Sequence, residues 1–400
     1  MIRGEKMKKN VVSRLMILVV VLMLALSACA PAATPTAAPA PTNPPAPAAT
    51  AVPPTAVPPT AVPPTATAVP PTAVPPTAVP PTVAPTAKPT VPPAACAPIA
   101  KPITPAAGAL GSADKPITIT FVPSGDTGKL TPVATDIADC LTKMTGLTFG
   151  IEFGTSFGAS IESMGAGKAQ VGFLNTFSVL LAEAKYQIVP VLANERAYAT
   201  VPDIDPDAGL KGQLEPFYKA EFLANSASGI KSYADLKGKN FCFVDPNSTS
   251  GYIVPRIILK AKGIDPDKDF KATTNAGSHP NVAIAVYKGD CDAGVAYIDI
   301  RTDATANLVA TYPDIMTKVQ VFAVSDRIPN DGVQVVKDFP ADYTAALTEA
   351  LLSMNADPGG NALIKNLYNV NKFIKIDKTF YDPFAGVLKA AGVDPASMVK

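Results

Sequence analysis

Prolines impose the strongest constraint on what this chain of 400 residues can fold into. From residue 30 to about residue 110 nearly every position is Pro, Ala, Thr or Val, and the pentamer AVPPT occurs six times in two runs of three. Proline offers no backbone donor and holds φ at about −65°, so such a segment is typical of an extended spacer that buries no core. The folded part of the chain is therefore predicted to begin near residue 115.

The segment before the spacer predicts export and lipid attachment. A basic start precedes an apolar run that is shorter than a membrane-spanning helix, as in a signal peptide. The run ends in Leu-Ser-Ala-Cys at residues 26–29, which has the form of a bacterial lipobox. We predict a signal peptide at 1–28 and a linker at 29–112, anchored by lipid on Cys29 to the outer face of the cytoplasmic membrane. The alternative is a soluble secreted protein in which this cysteine occurs by chance.

Beyond the spacer the pattern alternates between buried strands and amphipathic helices. Strands are predicted at 117–123, 149–154 and 169–175 with helices between them, and the same order begins again after residue 226. This order predicts an α/β fold with mixed, mostly parallel sheets covered by helices.

The repeated order divides the folded part into two lobes. We predict lobe 1 from 115–222 and 323–400, and lobe 2 from 223–322. The chain then crosses twice between the lobes, and two crossings make a hinge beside a cleft. The folded part has about 285 residues, which is long enough to form two lobes, each with its own hydrophobic core.

Charge and cysteines exclude several classes of protein. The formal net charge is +1, which predicts neither nucleic-acid binding nor a polybasic membrane surface. Disulfides persist outside the cytoplasm, and Cys242 and Cys291 lie in short apolar runs of the same region, so we predict that they pair. Two buried free thiols are the alternative. No cysteine or histidine spacing is that of a metal site, and no metal or cofactor is predicted.

Three strand-to-helix turns carry small polar residues: GTSFG at 154–158, NSTSG at 247–251 and AGSHP at 276–280. Ligands of open α/β sheets bind at the carboxyl ends of strands, and helix N-termini favour anions there. None of the turns contains Lys or Arg, so together they predict an oxyanion held by neutral donors. For each turn alone, helix capping is the alternative, and His279, the only histidine, could be structural.

Catalytic motifs are poorly represented in the sequence. A single histidine leaves no two-histidine metal site, and there is no G-x-S-x-G elbow or Walker phosphate loop. Ser248 or Ser250 could form a triad with His279 and an aspartate, which is the enzymatic alternative. We predict a binding protein that is not an enzyme.

The region 228–300 resembles the phosphate-, phosphite- and phosphonate-binding proteins of ABC transporters, and the resemblance extends over about 115–395. It is carried by STSGY at 248–252, AGSH at 276–279 and IPND at 328–331, together with FVPSGDTGKL and GKAQVGFLN of the first lobe. The resemblance implies a two-lobe, type II periplasmic-binding-protein fold with the ligand between the lobes. It also implies a permease and an ATPase as partners.

The resemblance implies roles for particular side chains. Ser248, Thr249 and Ser250 would hold the oxygens of a phosphonate or phosphate, and His279 would add a further contact. Asp331 falls on the acidic residue that helps to hold the amine of aminophosphonates in such proteins.

At other positions this chain departs from the family. Two tyrosines are common in the first lobe of the family. Phe157, which follows Ser156 in the first turn, stands at the first of these positions, and Val179 stands at the second, where Asn-Thr-Phe-Ser-Val at 175–179 replaces a usual G-P-x-S-Y. A further acidic position falls on Ile298, with Asp299 beside it. These departures keep the oxyanion half of the site and disfavour aminophosphonates.

The sequence therefore predicts a lipid-anchored receptor that captures phosphonate, phosphite or phosphate in the cleft and delivers it to the permease. Two alternatives stay open. A receptor for another small ligand, such as a thiamine precursor, would line the cleft with stacked aromatic rings. A sensory module that reports to a kinase or a surface partner would suit the long spacer.

Overall fold

The computed structural model describes residues 92–398, and all of them belong to one compact unit. The predicted signal peptide, Cys29 and most of the spacer lie outside the described residues. None of the described helices is long and apolar enough to cross a membrane.

The described residues form fourteen strands and ten α-helices. The strands are β1 (Ile117–Phe121), β2 (Phe149–Phe153), β3 (Val171–Leu174), β4 (Val189–Ala197), β5 (Leu214–Glu215), β6 (Phe217–Tyr218), β7 (Ala220–Asn225), β8 (Asn240–Phe243), β9 (Ala272–Asn275), β10 (Ala293–Tyr297), β11 (Val319–Val324), β12 (Ile328–Pro329), β13 (Gly332–Val335) and β14 (Lys372–Lys375). The helices are α1 (Thr127–Thr145), α2 (Phe157–Gly165), α3 (Thr176–Tyr186), α4 (Val254–Ala261), α5 (His279–Lys288), α6 (Leu308–Thr311), α7 (Ile315–Lys318), α8 (Ala341–Ala356), α9 (Pro358–Tyr368) and α10 (Asp382–Ala390). A π-helical turn, Thr249–Ile253, leads directly into α4.

Lobe 1 is built on a seven-stranded sheet in the order β14-β4-β13-β3-β1-β2, with β5 added to β4. β1 pairs parallel with β2 and β3, as the strand-helix order predicted. The chain then returns from lobe 2 as β13, which inserts between β3 and β4 and runs antiparallel to both. The sequence predicted mostly parallel strands, but antiparallel pairs are more frequent than that, because the returning strand runs against both of its neighbours.

Lobe 2 is built on a five-stranded sheet in the order β11-β7-β10-β8-β9. β8 pairs parallel with β9 and β10, whereas β7 runs antiparallel to β10 and β11. The side chains of Phe222, Phe241 and Val295 pack in one buried cluster on this sheet. Its first strand begins at Ala220, slightly before the predicted start of lobe 2 at residue 223.

The two crossings between the lobes lie side by side, because β6 of the first pairs antiparallel with β12 of the second. Beside this pair the buried ammonium of Lys219 donates to Asp205 and Asp207, at 2.8 Å each. Arg327 of the second crossing donates to the same Asp207 at 2.6 Å. The carboxylates of Asp205 and Asp207, which lie in one loop, therefore form ion pairs with both crossings and join them into a single hinge.

A strap, residues 94–103, packs on lobe 1. Cys96 is disulfide-bonded to α1, and the backbone N–H groups of Ile99 and Ile103 donate to carbonyls at the end of α1 at 3.0 and 2.7 Å. The predicted linker, 29–112, is therefore too long at its C-terminal end. Ile99 is buried in the core of lobe 1, a contribution that a composition rich in Pro and Ala conceals.

Two disulfides are present in the described part of the chain. Cys242 bonds to Cys291 within lobe 2, the pair that the sequence indicated. Cys96 bonds to Cys140 of α1, a pairing for which the sequence offered no basis.

Candidate functional site

A cavity of about 60 Å³ lies between the lobes beside the hinge. Both lobes contribute buried side chains to its walls, so a ligand in it contacts both lobes. The polar lining includes Ser124, Asn175, Asn194, Arg196, Ser248, Ser250, His279, Thr305, Asn330 and Asp331, and the aromatic lining consists of Phe157, Tyr218, Tyr297 and Tyr368.

The hydroxyl loop, residues 245–251, connects β8 to the helical turn and presents Ser248 and Ser250 to the cavity. These serines are only 1% and 2% exposed. The Oγ of Ser248 accepts a hydrogen bond from the N–H of Gly251 at 3.1 Å, so this serine caps the helix and lines the cavity at once. Glycine is required at residue 251, because a Cβ there would lie 2.3 Å from Cγ2 of Val244.

The free hydroxyl hydrogens of both serines can point into the cavity. The Oγ of Ser248 already accepts from the backbone, and the Oγ of Ser250 accepts from the phenol of Tyr218 at 3.4 Å. A hydroxyl that accepts in this way keeps its own O–H available as a donor.

The backbone fixes the tautomer of His279. Its Nδ1 accepts a hydrogen bond from the N–H of Tyr297 at 3.1 Å, so the proton of the neutral ring lies on Nε2. Nε2 faces the Oγ of Ser248 at 3.4 Å. Burial lowers the pKa of His279 to about 3, and the nearby charge of Arg196 lowers it as well. The ring is therefore a neutral donor at physiological pH.

Thr249, the middle hydroxyl of the motif, does not line the cavity. Its side chain is fully buried against lobe 1, where its Oγ1 accepts from Asn175 at 2.9 Å and from the N–H of Phe177 at 2.8 Å. The expected contact between the Thr249 side chain and the ligand is therefore not seen in this arrangement, because the hydroxyl is directed at lobe 1 and not into the cavity.

The first turn of α2 contributes a wall rather than a donor. Phe157 is buried and lines the cavity. The Oγ of Ser156 accepts from the N–H of Ala159 at 3.1 Å, which caps α2, and Ser156 is not among the lining residues. For Ser156 the capping interpretation is the one the geometry supports.

Charged groups meet on the lobe 1 side of the cavity, although the sequence predicted neutral donors alone. Arg196 of β4 extends one nitrogen to Asp299 at 3.5 Å and to Asp303 at 3.4 Å, both in lobe 2. Asp299 thus pairs with an arginine and does not line the cavity, contrary to its expected role. Asp331 does line it.

The protonation of these two aspartates responds to burial. Burial raises the pKa of Asp331 to about 7, against the opposing effects of hydrogen bonds from Thr176 and the charge of Arg196. Burial also raises the pKa of Asp299 to about 7, although Arg196 favours its charged form. Both carboxyls therefore titrate near neutral pH.

Several lining residues gave no usable signal in the sequence. Arg196 lies near the end of β4, and Tyr218 belongs to β6, a strand of two residues in the first crossing between the lobes. Tyr297 stacks near His279, with ring centroids 4.7 Å apart, and Tyr368 ends α9 far along the chain. The phenols of the cavity therefore come from elements other than the two first-lobe turns, at Tyr218, Tyr297 and Tyr368. Within residues 92–398 no group of three or more His, Cys, Asp or Glu is placed to hold a metal ion.

Two α/β lobes that share one hinge and enclose a small cavity with buried polar groups in an aromatic and apolar lining define a solute-binding protein. Residues 119–381 match the model of the family described as ABC transporter, phosphonate, periplasmic substrate-binding protein. The chain belongs to this family, which confirms the relationship that the sequence motifs indicated.

Curated relatives carry related names. The chain is 25% identical over 257 residues to the phosphate-import protein PhnD of Mycolicibacterium smegmatis, over 58% of this chain and 76% of that protein. It is 28% identical over 159 residues to the phosphonates-binding periplasmic protein of Escherichia coli, over 38% of this chain and 45% of that protein. It thus spans less than half of the latter relative's length.

Solved structures agree in fold. A binding protein component of an ABC phosphonate transporter from Pseudomonas aeruginosa has a TM-score of 0.58 at 22% identity, over 68% of this chain and 85% of that chain. A Prochlorococcus marinus protein in complex with methylphosphonate also has a TM-score of 0.58, at 17% identity, over 69% and 98%. The predicted two-lobe periplasmic-binding-protein fold is confirmed.

Proposed function

We propose that this protein captures a phosphorus oxyanion (a phosphonate, phosphite or phosphate) in the interlobe cavity and delivers it to the permease and ATPase of an ABC importer. One observation carries the proposal: the hydroxyls of Ser248 and Ser250 are buried donors that face one cavity, and the Nε2–H of His279, which is directed at the Oγ of Ser248, lies beside them. A tetrahedral oxyanion presents acceptor oxygens in several directions, which suits such a set. The names of the phosphate- and phosphonate-binding relatives support it.

The proposed mechanism is binding and closure without catalysis. The ligand would first meet the donors of lobe 2, and closure would then bring Phe157, Asn194 and Arg196 of lobe 1 against it. A ligand that contacts both walls only in the closed state shifts the population towards that state. The small cavity and its aromatic walls favour a compact ligand over one with a long substituent.

The test is a panel of phosphate, phosphite, methylphosphonate, 2-aminoethylphosphonate and a thiamine precursor, screened by thermal shift and measured by calorimetry. Replacing both Ser248 and Ser250 with Ala should weaken phosphorus-oxyanion binding at least 100-fold, since each hydrogen bond to a charged group contributes about 1.5–3 kcal/mol. Ser353→Ala, an exposed serine of α8, is the matched control. The double variant should also lower the ligand-free unfolding temperature by a few degrees, because Ser248 caps the helical turn. Affinities are therefore compared at a temperature at which wild type and both variants are folded.

Two results would contradict the proposed function. Affinity of the double variant within threefold of wild type would place the site elsewhere. A thermal shift with the thiamine precursor alone would make the protein a receptor of a different class.

The lipid anchor at Cys29 is part of the same proposal, although this residue lies outside the described part of the chain. The sequence Leu-Ser-Ala-Cys after an apolar run supports it. Replacing Cys29 with Ala should move the protein from the membrane fraction to the soluble fraction, and continued membrane fractionation would contradict the anchor.

A further inference from the structure

The hydroxyl loop has two faces that serve different partners. Ser248 and Ser250 line the cavity, whereas Asp245, Asn247 and Thr249 make hydrogen bonds to lobe 1. Alternate residues of one short segment thus face the cavity and the opposite lobe.

Thr249 makes the shortest of these contacts. Its Oγ1 accepts from the Nδ2 of Asn175 at 2.9 Å and from the backbone N–H of Phe177 at 2.8 Å. Its side chain has no exposed surface. Both donors belong to the start of α3 in lobe 1, where backbone N–H groups have no partner within the helix.

The neighbouring contacts point in the same direction. The Nδ2 of Asn175 also donates to the backbone carbonyl of Asn247 at 2.9 Å. The carboxylate of Asp245 accepts from the N–H of Phe157, the first residue of α2, at 3.4 Å. The hydroxyl loop therefore satisfies the first turns of two lobe 1 helices, and these bonds exist only while the lobes are in contact.

We propose that Thr249 is a positioning residue that couples occupancy of the cavity to closure of the lobes. This inference rests on the proposed function. Thr249 shares one helical turn with Ser248 and Ser250, so its docking on α3 fixes where the two ligand-facing hydroxyls lie. When the lobes separate, these two hydrogen bonds are lost. The donors, the Nδ2 of Asn175 and the N–H of Phe177, must then be hydrated instead.

This role predicts a kinetic and selectivity signature that differs from direct ligand contact. A residue that stabilises only the closed state acts equally on every ligand that the closed state encloses. Losing it accelerates dissociation, while the order of preference among phosphate, phosphite and methylphosphonate is retained. A residue that touches the ligand would change that order.

The test compares Thr249→Val, which keeps the shape and removes the acceptor, with Thr249→Ser, which keeps the acceptor. Thr249→Val should raise the dissociation rate of each bound panel ligand by roughly 10- to 100-fold, because it leaves two donors unpaired in the closed state. The ratios between ligands should stay within about twofold. Thr249→Ser should restore dissociation to within about threefold of wild type. Equal behaviour of the two variants, or altered ratios between ligands, would overturn the proposal.

A second measurement separates failure of this inference from failure of the proposed function. Fluorescent labels on exposed Lys365 of lobe 1 and Lys268 of lobe 2 report the interlobe distance with and without ligand in the full chain. Thr249→Val should reduce the short-distance population and Thr249→Ser should not. If no phosphorus oxyanion binds the wild type, the proposed function fails, and the ligand-free distances alone then decide whether Thr249 holds the lobes together.

Discussion

The two walls of the cavity are built on opposite principles. The lobe 2 wall offers Ser248, Ser250 and a neutral His279, which are uncharged donors held by their own backbone. The lobe 1 wall offers Arg196, a permanent cation that pairs with Asp299 and Asp303 of lobe 2, and Asp331, whose charge depends on pH. The difference teaches that one wall selects the ligand by the geometry of neutral hydrogen-bond donors, while the other adds a fixed positive charge and an acid whose ionisation depends on pH.

Removing the arginine from the charged wall should produce the largest effect. Arg196→Gln leaves Asp299 and Asp303 without their cationic partner, and breaking a buried pair from one side costs roughly 3–5 kcal/mol. Because this cost falls on the closed state, oxyanion affinity measured by calorimetry should drop about 100-fold or more. Lys268→Gln, which disrupts an exposed pair with Asp265, is the control and should stay within twofold. Wild-type affinity in Arg196→Gln would show that the lobe 1 charges are dispensable.

Removing the acid from the same wall should change the pH dependence more than the affinity. The pKa of Asp331 is raised to about 7, so the group is largely neutral at pH 6 and ionised at pH 8, where it repels an anion. Wild-type affinity for methylphosphonate should therefore fall roughly tenfold from pH 6 to pH 8, relative to Asp331→Asn. The ligand titrates equally in both experiments, so the ratio isolates the protein group. A ratio that is constant with pH would contradict this assignment.

Changing the histidine should give the smallest effect and test the neutral wall. His279→Gln keeps an N–H donor in a less fixed position, and affinity should fall about three- to tenfold. Since the pKa of His279 lies at about 3, the ratio of wild-type to variant affinity should not change between pH 5 and pH 7. A transition near pH 6.5 would mean that the His279 ring becomes protonated. The lobe 2 wall would then also carry charge, and the contrast with the lobe 1 wall would be lost.

The same contrast explains how much of the site could be read from the sequence. The lobe 2 wall comes from contiguous motifs at turns whose residue types follow from helix N-termini, so Ser248, Ser250 and His279 were predicted and do line the cavity. In lobe 1, Phe157 and Asp331 were also predicted and line it, the latter only through the family resemblance. The lobe 1 wall is assembled by the chain's return between β3 and β4, which brings Asp331 beside Asn194. No local pattern marks Arg196 as a cavity residue, because its partners are fixed only by the packing of the two lobes.

Thr249 shows a finer limit of sequence reasoning. Three consecutive hydroxyls predicted three ligand contacts, but successive side chains of a helical turn point in different directions. Only the position of α3 determines that the middle hydroxyl meets lobe 1. The fold itself was more accessible, because alternating strands and helices and two crossings are properties of long segments rather than of single contacts.

The strap also decides how mechanical load is distributed in the molecule. Cys96 is bonded to Cys140 in lobe 1, and the following residues pack on the same lobe. Any pull applied through the chain N-terminal to Cys96 therefore ends on α1 and does not pass through the hinge. If the proposed anchor at Cys29 holds the chain, lobe 2 can therefore open and close without working against the tether.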